Sequence, residues 1–126
     1  MILDTDFIID LLAGDEAARE LAAELDRSGQ SFLIPTMAIL EVMVGVEESD
    51  ADRVERVLDR YPKRAMDEQV ARIAARAIGD GEMEVGSAKK NKGDAVIAAT
   101  AIAEGRPVVT KNASHFESFG ADVKTY

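Results

Sequence analysis

Cysteine is missing from all 126 residues, which excludes a disulfide framework, a thiolate zinc site and a cysteine nucleophile together. A cysteine-free chain also fits an intracellular setting. Histidine is nearly missing as well. His115 stands alone, so HExxH-type zinc hydrolysis, histidine-rich metal sites and two-histidine ribonuclease chemistry would need imidazoles this chain lacks. Any metal is therefore expected on oxygen ligands. Positive charge is the third shortage: 15 Lys and Arg face 24 Asp and Glu, for a net charge of −9 and a pI near 4.6. That balance argues against holding nucleic acid through the overall field, though a local basic patch stays open. The acid excess reads either as a solvated surface or as adaptation to high salt. No apolar run approaches the length that spans a bilayer, and Met1 leads straight into Ile2-Leu3 with no signal-peptide pattern. No membrane contact and a cytoplasmic location are expected.

What remains is globular composition, 47% hydrophobic and 31% charged with three prolines, and no repeat or low-complexity tract. The length suits one core, so one domain over residues 1–126 is expected. Ile2-Leu3 reads as a strand ending in Asp4, followed by the helical apolar series Phe7, Ile8, Ile9, Leu11, Leu12 that Ala13-Gly14-Asp15 interrupts. Residues 15–27 place acids first, Leu21 and Leu25 four apart and an arginine last, an amphipathic helix. Phe32-Leu33-Ile34 reads as a second strand. Thr36, as an N-cap, starts an apolar helix to about Gly45 or Glu47, and Ser49-Asp50 caps another over 51–61 with Val54, Val57, Leu58 and Tyr61 on one stripe. Arg64-Ala65-Met66 reads as a third strand, Asp67 opens a helix over 68–81, and residues 79–92 read as a loop carrying glycine and lysine. The most informative stretch is Lys92 to Asn112. Gly93 and Asp94 open an Ala-rich helix, Ala95 to Glu104; Gly105 closes it, and Val108-Val109 is too short for a helix but right for a covered strand. His115 to Gly120 reads as a loop or single turn, and Val123 to Tyr126 as an edge strand. Strands alternating with helices imply an α/β fold, three α/β/α layers around a mostly parallel sheet.

Three acids sit where a solvated charge is out of place. Asp4 follows an apolar strand directly, so it emerges at the carboxyl edge of the sheet, the edge where open α/β sheets bind ligands. Glu41 lies inside MAILEVMVGV, a helix apolar enough to be buried, and a buried glutamate needs a partner. Asp94 stands at a helix start, where the dipole favours its anion. Taken singly, these are a turn residue, a salt-bridge partner and an ordinary cap. Together they would form a carboxylate cluster, which repels itself unless a cation sits among them, and oxygen-only ligation points to Mg²⁺ or Mn²⁺. Asp6 reads as a first-turn helix acid and His115 as a loop histidine. Lys89, Lys90, Lys92 and Lys111 flank the rim and suit phosphate oxygens or a solvated loop equally.

With LDTD at the start, Glu41 after Thr36-Met37-Ala38-Ile39-Leu40, then GDAVIAATAIAEGRPVVTKN and Asn112-Ala113-Ser114-His115-Phe116 in that order, nearly the whole chain resembles a PIN-domain protein of the VapC toxin type. The resemblance implies a PIN-like fold with Asp4, Glu41 and Asp94 as the first three members of an acidic quartet. Its fourth position falls on Asn112, often aspartate in the wider family, where an amide orients water or substrate. An acid that some relatives carry before the phenylalanine is His115 here. The family further implies an endoribonuclease that needs Mg²⁺ or Mn²⁺ and cuts structured RNA, commonly tRNA, restrained by a cognate VapB-like antitoxin. Metal on Asp4, Asp94 and Glu41 would suit in-line attack by water, leaving 5′-phosphate and 3′-hydroxyl ends. A homodimer is the expected assembly, although the apolar helices over 36–47 and 51–61 read first as core. Asp4-Thr5-Asp6 also resembles the haloacid-dehalogenase phosphatase signature, with Asp4 as nucleophile; Phe7-Ile8 departs from it and Glu41 would have no role. A catalytically silent module binding RNA or protein is the third reading.

Overall fold

A computed structural model of the chain describes residues 1–79 and 92–126. The expected loop over residues 79–92 thus lies outside the described residues except at its two ends, and so do Lys89 and Lys90. In chain order the described elements are β1 (Ile2–Leu3), α1 (Thr5–Ala13), α2 (Glu16–Arg27), β2 (Ile34–Pro35), α3 (Thr36–Gly45), a 3-10 turn (Glu48–Asp50), α4 (Ala51–Asp59), β3 (Lys63–Arg64), α5 (Glu68–Gly79), α6 (Lys92–Glu104), β4 (Val108–Val109), α7 (Ala113–Ser118) and β5 (Val123–Lys124). Local chemistry sets several boundaries. Gly14 ends α1 in the left-handed region, at φ 79°, with its N–H donating to Asp10 and Leu11 carbonyls. Asp15 caps α2 by accepting from the Ala18 N–H, and Asp67 caps α5 by accepting from Val70.

Every strand pairing is parallel. β1 pairs with β4 and β4 with β5, β2 pairs with β3, and a bridge between Ile2 and Leu33 joins the two sets. The order across the molecule is therefore 3-2-1-4-5, and its direction reverses between β1 and β4. Right-handed crossovers then place α1 to α4 on one face and α5 to α7 on the other, the three-layer α/β arrangement. Packing agrees: α1 meets α2, α3 and α4, whereas α6 meets α5, α7, β1 and β4. Among the described residues, α3 and α6 touch across the divide. The sheet is sealed by Ile2, Leu3, Phe7, Ile8, Val108 and Val109, all buried, and Val70, Ala74, Val96 and Ala99 close the α5–α6 seam.

Several local expectations change, among them the Ser49-Asp50 cap: Asp50 precedes α4 but makes no side-chain cap hydrogen bond. Residues 113–118 form a short helix where 115–120 read as a loop or single turn, while β2 lies one to two residues after the expected 32–34 and β3 one to two residues before the expected 64–66. Thr36 does not cap α3; its hydroxyl accepts from the Met66 N–H and ties the strand ends together. Most consequentially, α3 is not buried. Ala38 and Val42 face the core, but Leu40 is 56% and Val44 79% exposed, with Met43 exposed beside them. Among the described residues no helix is long and apolar enough to cross a membrane.

Candidate active site

Asp4 is placed by the sheet. Its N–H donates to the Val109 carbonyl at 3.2 Å, the last rung between β1 and β4, before the chain turns into α1. Its side chain, 3% exposed, leaves the carboxyl edge at the reversal point of the strand order. There the Thr110 hydroxyl donates to Oδ2 at 2.8 Å and itself accepts from the Asn112 N–H at 3.0 Å. One buried threonine so links the ends of both central strands to the start of α7. Burial pushes the Asp4 carboxyl up to about 7, the charges of Asp6 and Asp94 push it the same way, and the Thr110 hydrogen bond opposes them.

Glu41 reaches the same rim from α3. Its Oε1 accepts from the Thr5 hydroxyl at 2.8 Å, and Thr5 directly follows Asp4. Its Oε2 lies where α6 begins: a Cβ added at Gly93 would come within 2.9 Å of it. Gly93 is thus a contact surface as well as a helix residue. Asp94, next in sequence, faces the single histidine, His115 Nε2 to Asp94 Oδ2 being 2.9 Å. The imidazole packs edge-on against Phe119 at 5.3 Å between ring centres. Burial raises the Glu41 pKa first, with the charges of Asp94 and Asp6 adding to it against the Thr5 hydrogen bond. Burial also raises Asp94, with His115 opposing and Asp6 reinforcing.

The structure brings Asp4, Glu41 and Asp94 into one electrostatic neighbourhood although they start 37 and 53 positions apart in sequence (41 − 4 and 94 − 41). Asn112 joins them through its backbone; among the described contacts its side chain makes none. Thr5 and Thr110 carried no separate signal in the sequence, whereas Asp6 and His115 were read there as a helix acid and a loop histidine. Thr5 and Thr110 each hold a carboxylate, Asp6 is an exposed charge felt by all three acids, and His115 is the partner of Asp94 rather than an unattached loop residue. The donors are all oxygen, as a hard divalent cation requires, and the upward shift of all three carboxyls is the electrostatic load that such a cation relieves. Yet among the described residues no three Asp, Glu or His side chains meet at ligand spacing. Each acid is turned toward its own protein partner, Thr110, Thr5 or His115. A cavity of about 460 Å³ beside Leu12, Arg19, Arg53 and Tyr61 includes none of these acids.

A parallel sheet of this order, with acids just after β1, on α3 and in the first turn of α6 lying near its reversal point, defines a class of α/β protein. The family model described as the PIN domain matches residues 1–120. The chain belongs to the PIN-domain family, alongside its VapC-type members. It is 30% identical over 122 residues to Ribonuclease VapC19 of Mycobacterium tuberculosis, covering 94% of this chain and 93% of that protein. Two solved structures share the fold at lower identity. VapBC2 from Rickettsia felis, bound to a DNA fragment from its promoter, aligns with a TM-score of 0.82 at 15% identity, covering 99% of this chain and 97% of that one. DNA-bound VapBC from Salmonella typhimurium aligns with a TM-score of 0.78 at 23% identity, covering 98% and 96%.

Proposed function

We propose that residues 1–126 form one nuclease domain, a Mg²⁺- or Mn²⁺-dependent endoribonuclease that acts as the toxin of a toxin–antitoxin pair. Structured RNA such as tRNA is its substrate, and a VapB-like antitoxin and a second copy of the chain are its partners. The cytoplasm is its place. What supports the reading is that Asp4 and Glu41 both feel the charge of Asp94, and all three that of Asp6, near the reversal point of a parallel sheet, with each carboxyl pKa raised. Relatives add weight, since a 30% identical protein is named a ribonuclease and the structural neighbours are toxin–antitoxin complexes. Membership of the PIN family leaves the phosphatase alternative without support.

Asp4, Asp94 and Glu41 would hold the ion. Bound there, a divalent cation supplies Lewis acidity toward the scissile phosphate and makes water a better nucleophile at neutral pH. Glu41, with its raised pKa and an oxygen steered by Thr5, is placed to accept a proton from the attacking water. Thr110 keeps Asp4 pointing at the rim, and His115 does the same for Asp94. The Asn112 amide, exposed at the start of α7, orients water or substrate. Water's oxygen bonds to phosphorus, the bond to O3′ breaks, and the 3′ oxygen leaves as a hydroxyl after taking up a proton.

Cleavage of a tRNA pool by wild type and by Asp94→Asn, with and without Mn²⁺, tests this. Wild type should cut only with the ion and the variant at least roughly 100-fold more slowly. Equal rates would dispose of the nuclease proposal. Product ends should be 5′-phosphate and 3′-hydroxyl, and cyclic 2′,3′-phosphate ends would rule the route out.

A further inference from the structure

Just outside the carboxylate rim, Asp10 on α1 spends one oxygen on two donors. Its Oδ2 accepts from the Tyr126 hydroxyl at 2.7 Å and from Lys111 Nζ at 2.8 Å. The two donors differ in how they are held. The ring of Tyr126 stands edge-on to the fully buried Phe7, 5.0 Å between centroids, so its hydroxyl is anchored to the core. The Lys111 side chain is 52% exposed and has only this one described partner. Burial and the Asp10 contact raise the Tyr126 pKa, so the phenol stays a donor at any working pH. Were Lys111 to swing away, Asp10 would keep the tyrosine bond and would not be stranded. Water competes for the half-exposed ammonium, whereas Asp10, 20% exposed, stays on the protein side of the pair.

The position of Lys111 gives that freedom a use. It lies between Thr110, which holds Asp4, and Asn112, at the carboxyl end of β4. It also feels the charge of Asp6, the same acid that acts on Asp4, Glu41 and Asp94. A phosphodiester approaching a chain of net charge −9 needs a local cation beside the rim, and a half-exposed ammonium on a flexible stem meets that need.

We propose that Lys111 is a substrate-phosphate contact held in reserve. In the free protein it rests on the Asp10–Tyr126 cradle, and it transfers to a backbone phosphate of bound RNA next to the carboxylate rim. Asp10 is then a positioning residue that sets how often Lys111 is available. This rests on the RNA reading above for its ligand but not on the chemistry of cleavage.

The test is binding rather than turnover: affinity of the full chain for the same tRNA pool in EDTA, measured across salt concentrations. Lys111→Met should weaken binding about fivefold at about 0.1 M salt and lower the slope of log K against log salt by about 0.7, one phosphate contact. Asp10→Asn should tighten binding about two- to threefold, by releasing the lysine, and should do nothing once Lys111→Met is present. Lys111→Arg should restore the slope. An unchanged slope in Lys111→Met, a weaker Asp10→Asn, or no RNA binding by wild type would each overturn the proposal. Failure of the nuclease reading looks different: RNA bound with this salt slope, yet not cut when Mn²⁺ is supplied.

Discussion

Asp4 is the residue on which stability and activity should pull in opposite directions. A carboxyl with an ordinary pKa near 3.9 in the unfolded chain titrates at about 7 once folded. The folded state therefore binds the proton more tightly. This contribution to stability is fully present below about pH 4, is lost as pH rises toward 7, and amounts to at most ~4 kcal/mol. Glu41 and Asp94 shift in the same direction but are more exposed, so they add less. In EDTA, urea unfolding of wild type should weaken steadily from pH 5 to pH 7.5. Asp4→Asn keeps the Thr110 hydrogen bond and removes the charge, so at pH 7.5 it should be more stable than wild type by ~1–3 kcal/mol, with a flatter pH profile. RNA cleavage by this variant should be abolished. A less stable Asp4→Asn at pH 7.5 would show that burial does not disfavour the ionised form.

At the scale of elements, the site depends on one close approach, that of α3 to α6. Gly93 leaves room for the Glu41 carboxylate, and a methyl there would press on Oε2 at 2.9 Å and Cδ at 3.1 Å. The atoms met are the end of a flexible side chain, so the carboxylate rather than the backbone should move. Alanine is also the better helix former, although in the first turn of α6, where Gly93 lies, the gain is smaller than the ~1 kcal/mol of a helix interior. Gly93→Ala should therefore leave the thermal midpoint unchanged or slightly raised while breaking the Thr5–Glu41 hydrogen bond and cutting RNA cleavage roughly 10-fold or more. Loss of fold and activity together would place the glycine's role in packing instead. That contact was not readable from the chain. A glycine before an acid at a helix start reads as a loop breaker, and only folding shows what lies against it. The acids themselves were readable, because Asp4, Glu41 and Asp94 interrupt or adjoin apolar runs. Their holders Thr5, Thr110 and His115 were not, since ordinary polar residues gain meaning only from what they touch. Among elements, α2, α4 and α5 announce themselves by helical spacing of leucine and valine. Residues 113–118 do not, because six residues give a periodic pattern no room to repeat.

For the whole molecule, the alternation of strand and helix was enough to anticipate a parallel three-layer sheet, but not which faces stay uncovered. α3 misleads for a physical reason. Its apolar residues run nearly all round the helix, a pattern that reads as burial, yet the fold buries only the side bearing Ala38 and Val42. Leu40 and Val44, one helical turn apart, share the outer side with Met43 close by. Exposed apolar side chains grouped in this way mark a surface that another protein covers. A second copy of the chain is the first candidate, and sedimentation velocity over a range of concentrations reads it directly. Wild type should move from monomer toward dimer as concentration rises, and the double variant Leu40→Ser, Val44→Ser should remain monomeric. Because neither side chain supports the core, urea unfolding of that variant, measured as a monomer, should match wild type to within ~0.5 kcal/mol. A wild type that stays monomeric throughout would remove the second copy from the assignment. The surface would then belong to the antitoxin, and the serine variant should fail to co-purify with a VapB-like partner that wild type retains.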